Sequence, residues 1–131
     1  MDYSLISFLQ TRPVIALVGA TNDRRKYGNV ILKDLLRKGY EVIPINQKAT
    51  TVEGIEAFHT LEQAQKRRND IGLVVFVIPP KMALETLKQA RELGFFKVWF
   101  QPGAADKNVI EYVEKEKMSY LVDQCVMVET A

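Results

Sequence analysis

The residues best suited to chemistry stand in four short turns. The first reads Gly19-Ala20-Thr21-Asn22-Asp23-Arg24-Arg25-Lys26-Tyr27-Gly28, and a helix opens directly after it at Asn29. Small residues let a backbone approach a phosphate closely, and the free N–H groups and positive pole of a helix start then bind it. Arg24, Arg25 and Lys26 add a local positive field. The spacing is neither a Walker motif nor a strict G-x-G-x-x-G. Taken alone, the turn suits a phosphate and a solvated charged loop about equally.

The second turn, Pro44-Ile45-Asn46-Gln47-Lys48, narrows the chemistry. A site for NAD usually carries an acidic side chain at this place to hold the ribose hydroxyls. None stands here, and Lys48 favours a phosphorylated ribose instead. That selects NADP or a nucleotide with a 3′-phosphate, such as coenzyme A. The third turn, Ile78-Pro79-Pro80, is rigid and apolar: it is either a plain strand terminator or a flat wall for an adenine or a pantetheine arm. It lacks the aspartate of a phospho-accepting receiver. The fourth, Gln101-Pro102-Gly103-Ala104, again joins small residues and a turn with an amide able to hydrogen-bond a ligand.

Few other residues suggest chemistry. His59 is the only histidine, and beside Thr60 it reads as a surface or capping residue rather than a catalytic one. Cys125 is the only cysteine; a free cysteine is most often a small buried hydrophobe, with a reactive thiol as the alternative. Lys66-Arg67-Arg68 falls at a helix end, where cations meet the carbonyl pole, and so does not signal nucleic acid. Trp99 and Phe100 read as core. No pair of carboxylates stands at strand ends in a spacing suited to acid–base work.

The elements that must position these turns follow from the apolar pattern. Continuous apolar runs at residues 14–18, 42–45, 73–78, 98–100 and 120–122 mark strands buried on both faces. Amphipathic helices are predicted between them at 29–38, stopping at Gly39, at 81–93, stopping at Gly94, and after a cap at Asp106. A weaker helix over 60–68 is capped by Thr60. Leu5, Phe8 and Leu9 give a short N-terminal helix, expected over one end of the sheet. Strands alternating with helices imply right-handed βαβ units. The expectation is a Rossmann-like, doubly wound α/β domain of about five parallel strands, with residues 55–58 as an edge strand extending it. Ligands then bind outside the carboxyl ends of the strands, where the four turns lie.

Composition is consistent with one such unit. The chain has 131 residues, 47% hydrophobic and 26% charged. A chain of this size buries roughly two-thirds of its unfolded surface, enough for one core. The net charge of +2, from 18 basic and 16 acidic residues, is too slight to predict binding to nucleic acid or membrane. A single cysteine makes no internal disulfide, and the first ten residues lack the pattern of a signal peptide. A cytoplasmic location is expected, and an oligomer is compatible with the sequence.

Segments VIALVGAT (14–21), KYGNVILKDLLRKGY (26–40), EVIPIN (41–46), VVFVIPP (74–80), VWFQPGA (98–104) and DQCVMVET (123–130) resemble the small stand-alone CoA-binding proteins. These are relatives of the N-terminal domain of succinyl-CoA synthetase α subunits. The resemblance covers nearly the whole chain, in order. It implies a Rossmann-like CoA-binding domain over residues 1–131, in which Gly19, Ala20 and Thr21 meet the phosphates. It also implies that Asn46 and Lys48 lie near the ADP portion, and Ile78, Pro79 and Pro80 beside the adenine or pantetheine. Its cysteine motif raises the expectation that Cys125 lies near the thiol end of the ligand and forms a mixed disulfide with it. Gln47 stands where these proteins often have a second proline, and the chain ends just past the cysteine motif. The ligase relatives use a phosphorylated histidine from a separate domain, so acyl-CoA synthesis by these residues alone is not expected. The expected function is therefore a binding module for CoA or acyl-CoA, as carrier, sensor or regulator. The alternative is an NADP-dependent or acyl-transferring enzyme, or the nucleotide-binding subunit of one.

Overall fold

The computed structural model describes all 131 residues. Five parallel strands form the central sheet: β1 (Val14–Val18), β2 (Val42–Ile45), β5 (Ile71–Phe76), β6 (Lys97–Phe100) and β7 (Ser119–Val122). Their spatial order is β2-β1-β5-β6-β7. Counted among themselves, this is the 2-1-3-4-5 order of doubly wound sheets, and the winding reverses between β1 and β5.

The apolar runs are explained by burial on both faces. Ile15, Leu17, Leu73, Val75, Trp99 and Leu121 point to one side, where α1 (Ser4–Gln10) and α2 (Tyr27–Arg37) pack with Leu5, Leu9, Ile31, Leu32 and Leu35. Ala16, Val18, Val74, Phe76, Val98 and Phe100 point to the other. There they meet α3 (Leu61–Arg67), α4 (Pro80–Glu92) and α5 (Lys107–Lys115). Side chains alternate along a strand, so a strand covered on both faces has no polar position to spare. Phe76 and Phe100 stack with centroids 4.9 Å apart, and the buried Trp99 satisfies its indole N–H by donating to Gln124 O at 2.8 Å.

The caps expected from the sequence are made: Thr60 Oγ1 accepts from Gln63 N, and Asp106 Oδ1 from Val109 N. Several boundaries differ. β5 begins and ends two residues earlier than the apolar run suggests, so Val77 and Ile78 belong to the turn. α2 takes in Tyr27 and Gly28, and Pro80 opens α4 rather than merely closing a strand, a position where its missing N–H costs nothing. α1 lies on a face rather than over an end of the sheet, with Phe8 reaching Gly72 and Lys97.

The segment expected as an edge strand does something else. Residues 51–56 form a small antiparallel hairpin, β3 (Thr51–Val52) and β4 (Ile55–Glu56), and only Phe58 bridges to β2 at Ile45. Phe58 N donates to Pro44 O at 3.0 Å, and Asn46 N to Phe58 O at 2.9 Å. The outward side of β2 therefore carries the proline nitrogen, which has no hydrogen to lose. This is how Pro44 sits inside a strand, on the edge of a sheet.

Candidate functional site

After β1 and β5 the chain leaves for opposite faces of the sheet, to α2 and to α4, and a cleft of about 1010 Å³ opens where the winding reverses. The turn after β1 forms its floor. Gly19 has φ +107, and a Cβ on it would lie 2.7 Å from Ile78 Cγ2 and 2.8 Å from Val77 Cγ1. Gly28 is buried, and its Cβ would lie 2.0 Å from Gly19 O. Both glycines thus act by removing atoms: one lets the β1 turn nest on the β5 turn, the other lets α2 start against the β1 turn. The N–H groups of Tyr27 and Gly28, in the first turn of α2, have no acceptor within the chain. Two free donors and the positive helix pole therefore face the space beside Gly19, Ala20 and Thr21.

Three asparagines hold this floor. Asn46 Nδ2 donates to Ala20 O at 2.9 Å, while its Oδ1 accepts from the N–H groups of Lys48 and Ala49. Asn22 bonds the hairpin through Thr51 O and Glu53 N. Asn29, only 2% exposed, donates to Thr21 O and to Glu53 Oε2, each at 2.8 Å. The Asn29 bond, with Arg24 nearby, holds the Glu53 carboxyl below the usual carboxylate range. That bond therefore adds stability above pH 4.5, the ordinary value, and loses it as pH falls through the lowered one. In Asn29→Ala the Glu53 titration, followed by NMR, is expected to move upward, with a loss of roughly 1–2 kcal/mol at neutral pH.

The charges around the cleft are not equivalent. Arg25 grips both oxygens of Asp23 at 3.0 Å, which holds that carboxyl down to about 2. Arg24 faces Glu53 at 3.7 Å and does not line the cleft. Lys26 and Lys48 line it and have no carboxylate within 4 Å. Of the residues singled out in the sequence, the cleft brings together Gly19, Ala20, Thr21, Arg25, Lys26, Tyr27, Gly28, Asn46, Lys48, Ile78, Pro79, Pro102 and Gly103. Pro44, Pro80, Gln101 and Cys125 are outside its lining. Gln101 is buried: its Oε1 accepts from Val126 N at 2.9 Å and its Nε2 donates to Cys125 Sγ at 3.3 Å. Its amide fastens the loop after β7 to the end of β6.

Sequence reasoning missed one wall. Met82, Glu85, Thr86 and Gln89 of α4 line the cleft, as do His59 and Thr60. The spacing of 82, 85, 86 and 89 is one helical stripe, a signal present in the sequence but indistinguishable there from a solvated face. A smaller hollow of about 370 Å³ lies beside Tyr40, Glu41 and Arg68, away from these turns. No three His, Cys, Asp or Glu side chains are grouped to hold a metal ion, and no helix is long and apolar enough to cross a membrane.

A doubly wound parallel sheet with a cleft at its switch point defines a Rossmann-like class of α/β domain. The CoA binding domain model matches residues 13–131, and the chain belongs to that family. It is 26% identical over 123 residues to the alpha subunit of ADP-forming acetate–CoA ligase II from Pyrococcus furiosus, covering 86% of this chain and 26% of that protein. The ADP-forming acetate–CoA ligase of Methanocaldococcus jannaschii is 27% identical over 93 residues, 71% of this chain and 13% of that one. The chain thus spans about a quarter of the first of these curated relatives and about an eighth of the second. Among solved structures, a conserved hypothetical protein from Pyrococcus furiosus matches at TM-score 0.85 and 44% identity, over 90% of this chain and 99% of that one. A hypothetical protein from Pyrococcus horikoshii OT3 matches at TM-score 0.85 and 28% identity, over 98% and 89%.

Proposed function

We propose that the protein binds coenzyme A or an acyl-CoA in the cleft at the β1–β5 switch point, as a carrier, sensor or regulatory module. The observation that carries this reading is the glycine-cleared floor with the unmet N–H groups of Tyr27 and Gly28 beside it. The diphosphate accepts from those groups and from the backbone near Thr21, with Lys26 as the free counter-charge. Asn46 and Lys48 lie along the ribose side. Ile78 and Pro79 form the apolar wall, with Met82 beyond them. Pro102 and Gly103 line the far end, where Gln101 secures the loop that carries Cys125.

The test is a panel of CoA, acetyl-CoA, NADP and NAD by calorimetry and thermal unfolding. A ligand present at about a hundred times its dissociation constant adds ~2.7 kcal/mol of stability. CoA or acetyl-CoA is expected to give that shift and NAD none. A shift with NADP and none with CoA overturns the reading.

Similarity to parts of two acetate–CoA ligases supports a second reading, the nucleotide-binding part of an acyl-transferring assembly. Acyl transfer appearing only when a partner protein is added to the CoA-bound chain would distinguish it from a free-standing carrier.

A further inference from the structure

His59 reads from the sequence as a surface residue, yet it lines the cleft. Its place is set by backbone bonds, not by chance exposure. Phe58 is bridged to Ile45, and Asn46 N donates to Phe58 O at 2.9 Å, so residue 59 emerges beside the loop that ends β2. That loop is folded tightly by Asn46 Oδ1, which accepts from Lys48 N at 2.9 Å and Ala49 N at 2.8 Å. Lys48 and His59 therefore reach the cleft from two segments tied to the same strand end.

Neither side chain is committed elsewhere. Lys48 and His59 have no carboxylate within 4 Å and no side-chain hydrogen bond, whereas Arg25 is held by Asp23. Thr60, next in the chain, spends its hydroxyl as the acceptor for Gln63 N. The one acidic side chain lining the cleft is Glu85, on α4. The cleft thus carries two positive places. One is the start of α2 with Lys26, at the switch point. The other is the β2 end, where Lys48 supplies the charge and the His59 ring adds a hydrogen-bond donor. A ligand matching both carries two separate phosphate groups.

We propose that His59, together with Lys48, seats a terminal phosphomonoester of the bound nucleotide, the 3′-phosphate in the case of CoA, and so determines specificity for the phosphorylated ribose. This rests on the CoA reading above and adds to it a residue and a discrimination. Both side chains donate to phosphate oxygens, and no covalent step is involved.

The experiment compares dissociation constants of CoA and dephospho-CoA by calorimetry for the natural chain, His59→Ala, Lys48→Ala, the double variant and His59→Arg. Each alanine variant is expected to weaken CoA about tenfold while changing dephospho-CoA less than about twofold, the size of one charge-assisted hydrogen bond. The double variant binds both ligands alike, and His59→Arg keeps the preference for CoA. Because His59 and Lys48 are exposed, unchanged thermal unfolding of the unliganded variants checks that the fold is intact. If His59→Ala weakens both ligands equally, or neither, the assignment of His59 is overturned while CoA binding stands. If the natural chain binds neither ligand, the CoA reading fails, and this inference with it.

Discussion

Gly28→Ala is expected to lower the free energy of unfolding by about 3 kcal/mol and to remove the thermal shift given by CoA. The sign is informative because helix propensity alone points the other way. Gly28 lies in the first turn of α2, where alanine gains up to ~1 kcal/mol over glycine. Against that stands a Cβ only 2.0 Å from Gly19 O, far inside contact distance, and the obstacle is backbone rather than a flexible side-chain end. Either α2 or the β1 turn must retreat. Retreat separates the free N–H groups of Tyr27 and Gly28 from the Gly19–Thr21 backbone, so binding is lost along with stability. Urea unfolding and the CoA panel read the two effects separately. A variant as stable as the natural chain, with CoA binding intact, would show that the floor does not depend on this contact.

That pair of glycines also marks what the sequence discloses. Their presence at the turn after β1 is legible, because Gly19 ends an apolar run and Gly28 adjoins a helix. Their mutual contact is not, since it depends on how α2 docks against β1. The five strands and the main helices were legible for a related reason: continuous apolar runs and helical stripes are local patterns, and both faces of this sheet are covered. The hairpin was missed because Thr51, Glu53, Gly54 and Glu56 carry no apolar period. It is held instead by Asn22 and Asn29 from across the β1 turn. Gln101 illustrates the limit at a strand end. Residues there point alternately to opposite faces, and a shift of one decides between meeting a ligand and, as found, bonding Val126. The α4 wall and His59 were hidden for the same reason as the glycine contact. Polar residues on a helix or loop look solvated until the fold places them at the carboxyl end of the sheet.

Lys38→Met is expected to destabilise the fold by about 2 kcal/mol and to make Cys125 react several-fold faster with a soluble disulfide. Lys38 Nζ reaches Met127 O at 2.9 Å, Thr130 Oγ1 at 3.0 Å and Asp34 Oδ2 at 2.7 Å. It thereby joins α2 to the turn in which Val128 N and Glu129 N donate to Cys125 O. Asp34 Oδ2 is shielded from solvent and accepts no well-aligned hydrogen bond, so Lys38 is its compensating charge. Methionine keeps most of the packing and removes that charge. Arg37 still meets Oδ1 at 3.0 Å, but from a side chain 72% exposed. Its weak, screened hold keeps the expected loss below that of a fully buried broken pair. Arg37→Ala should therefore change stability by less than about 0.5 kcal/mol, and Asp34→Asn combined with Lys38→Met should recover part of the loss. The two readouts separate causes. Destabilisation with unchanged thiol reactivity would confine the role of Lys38 to α2, whereas a faster thiol in a chain of equal stability would confine it to the C-terminal turn. Both effects together are what one ammonium group bonded to both elements requires.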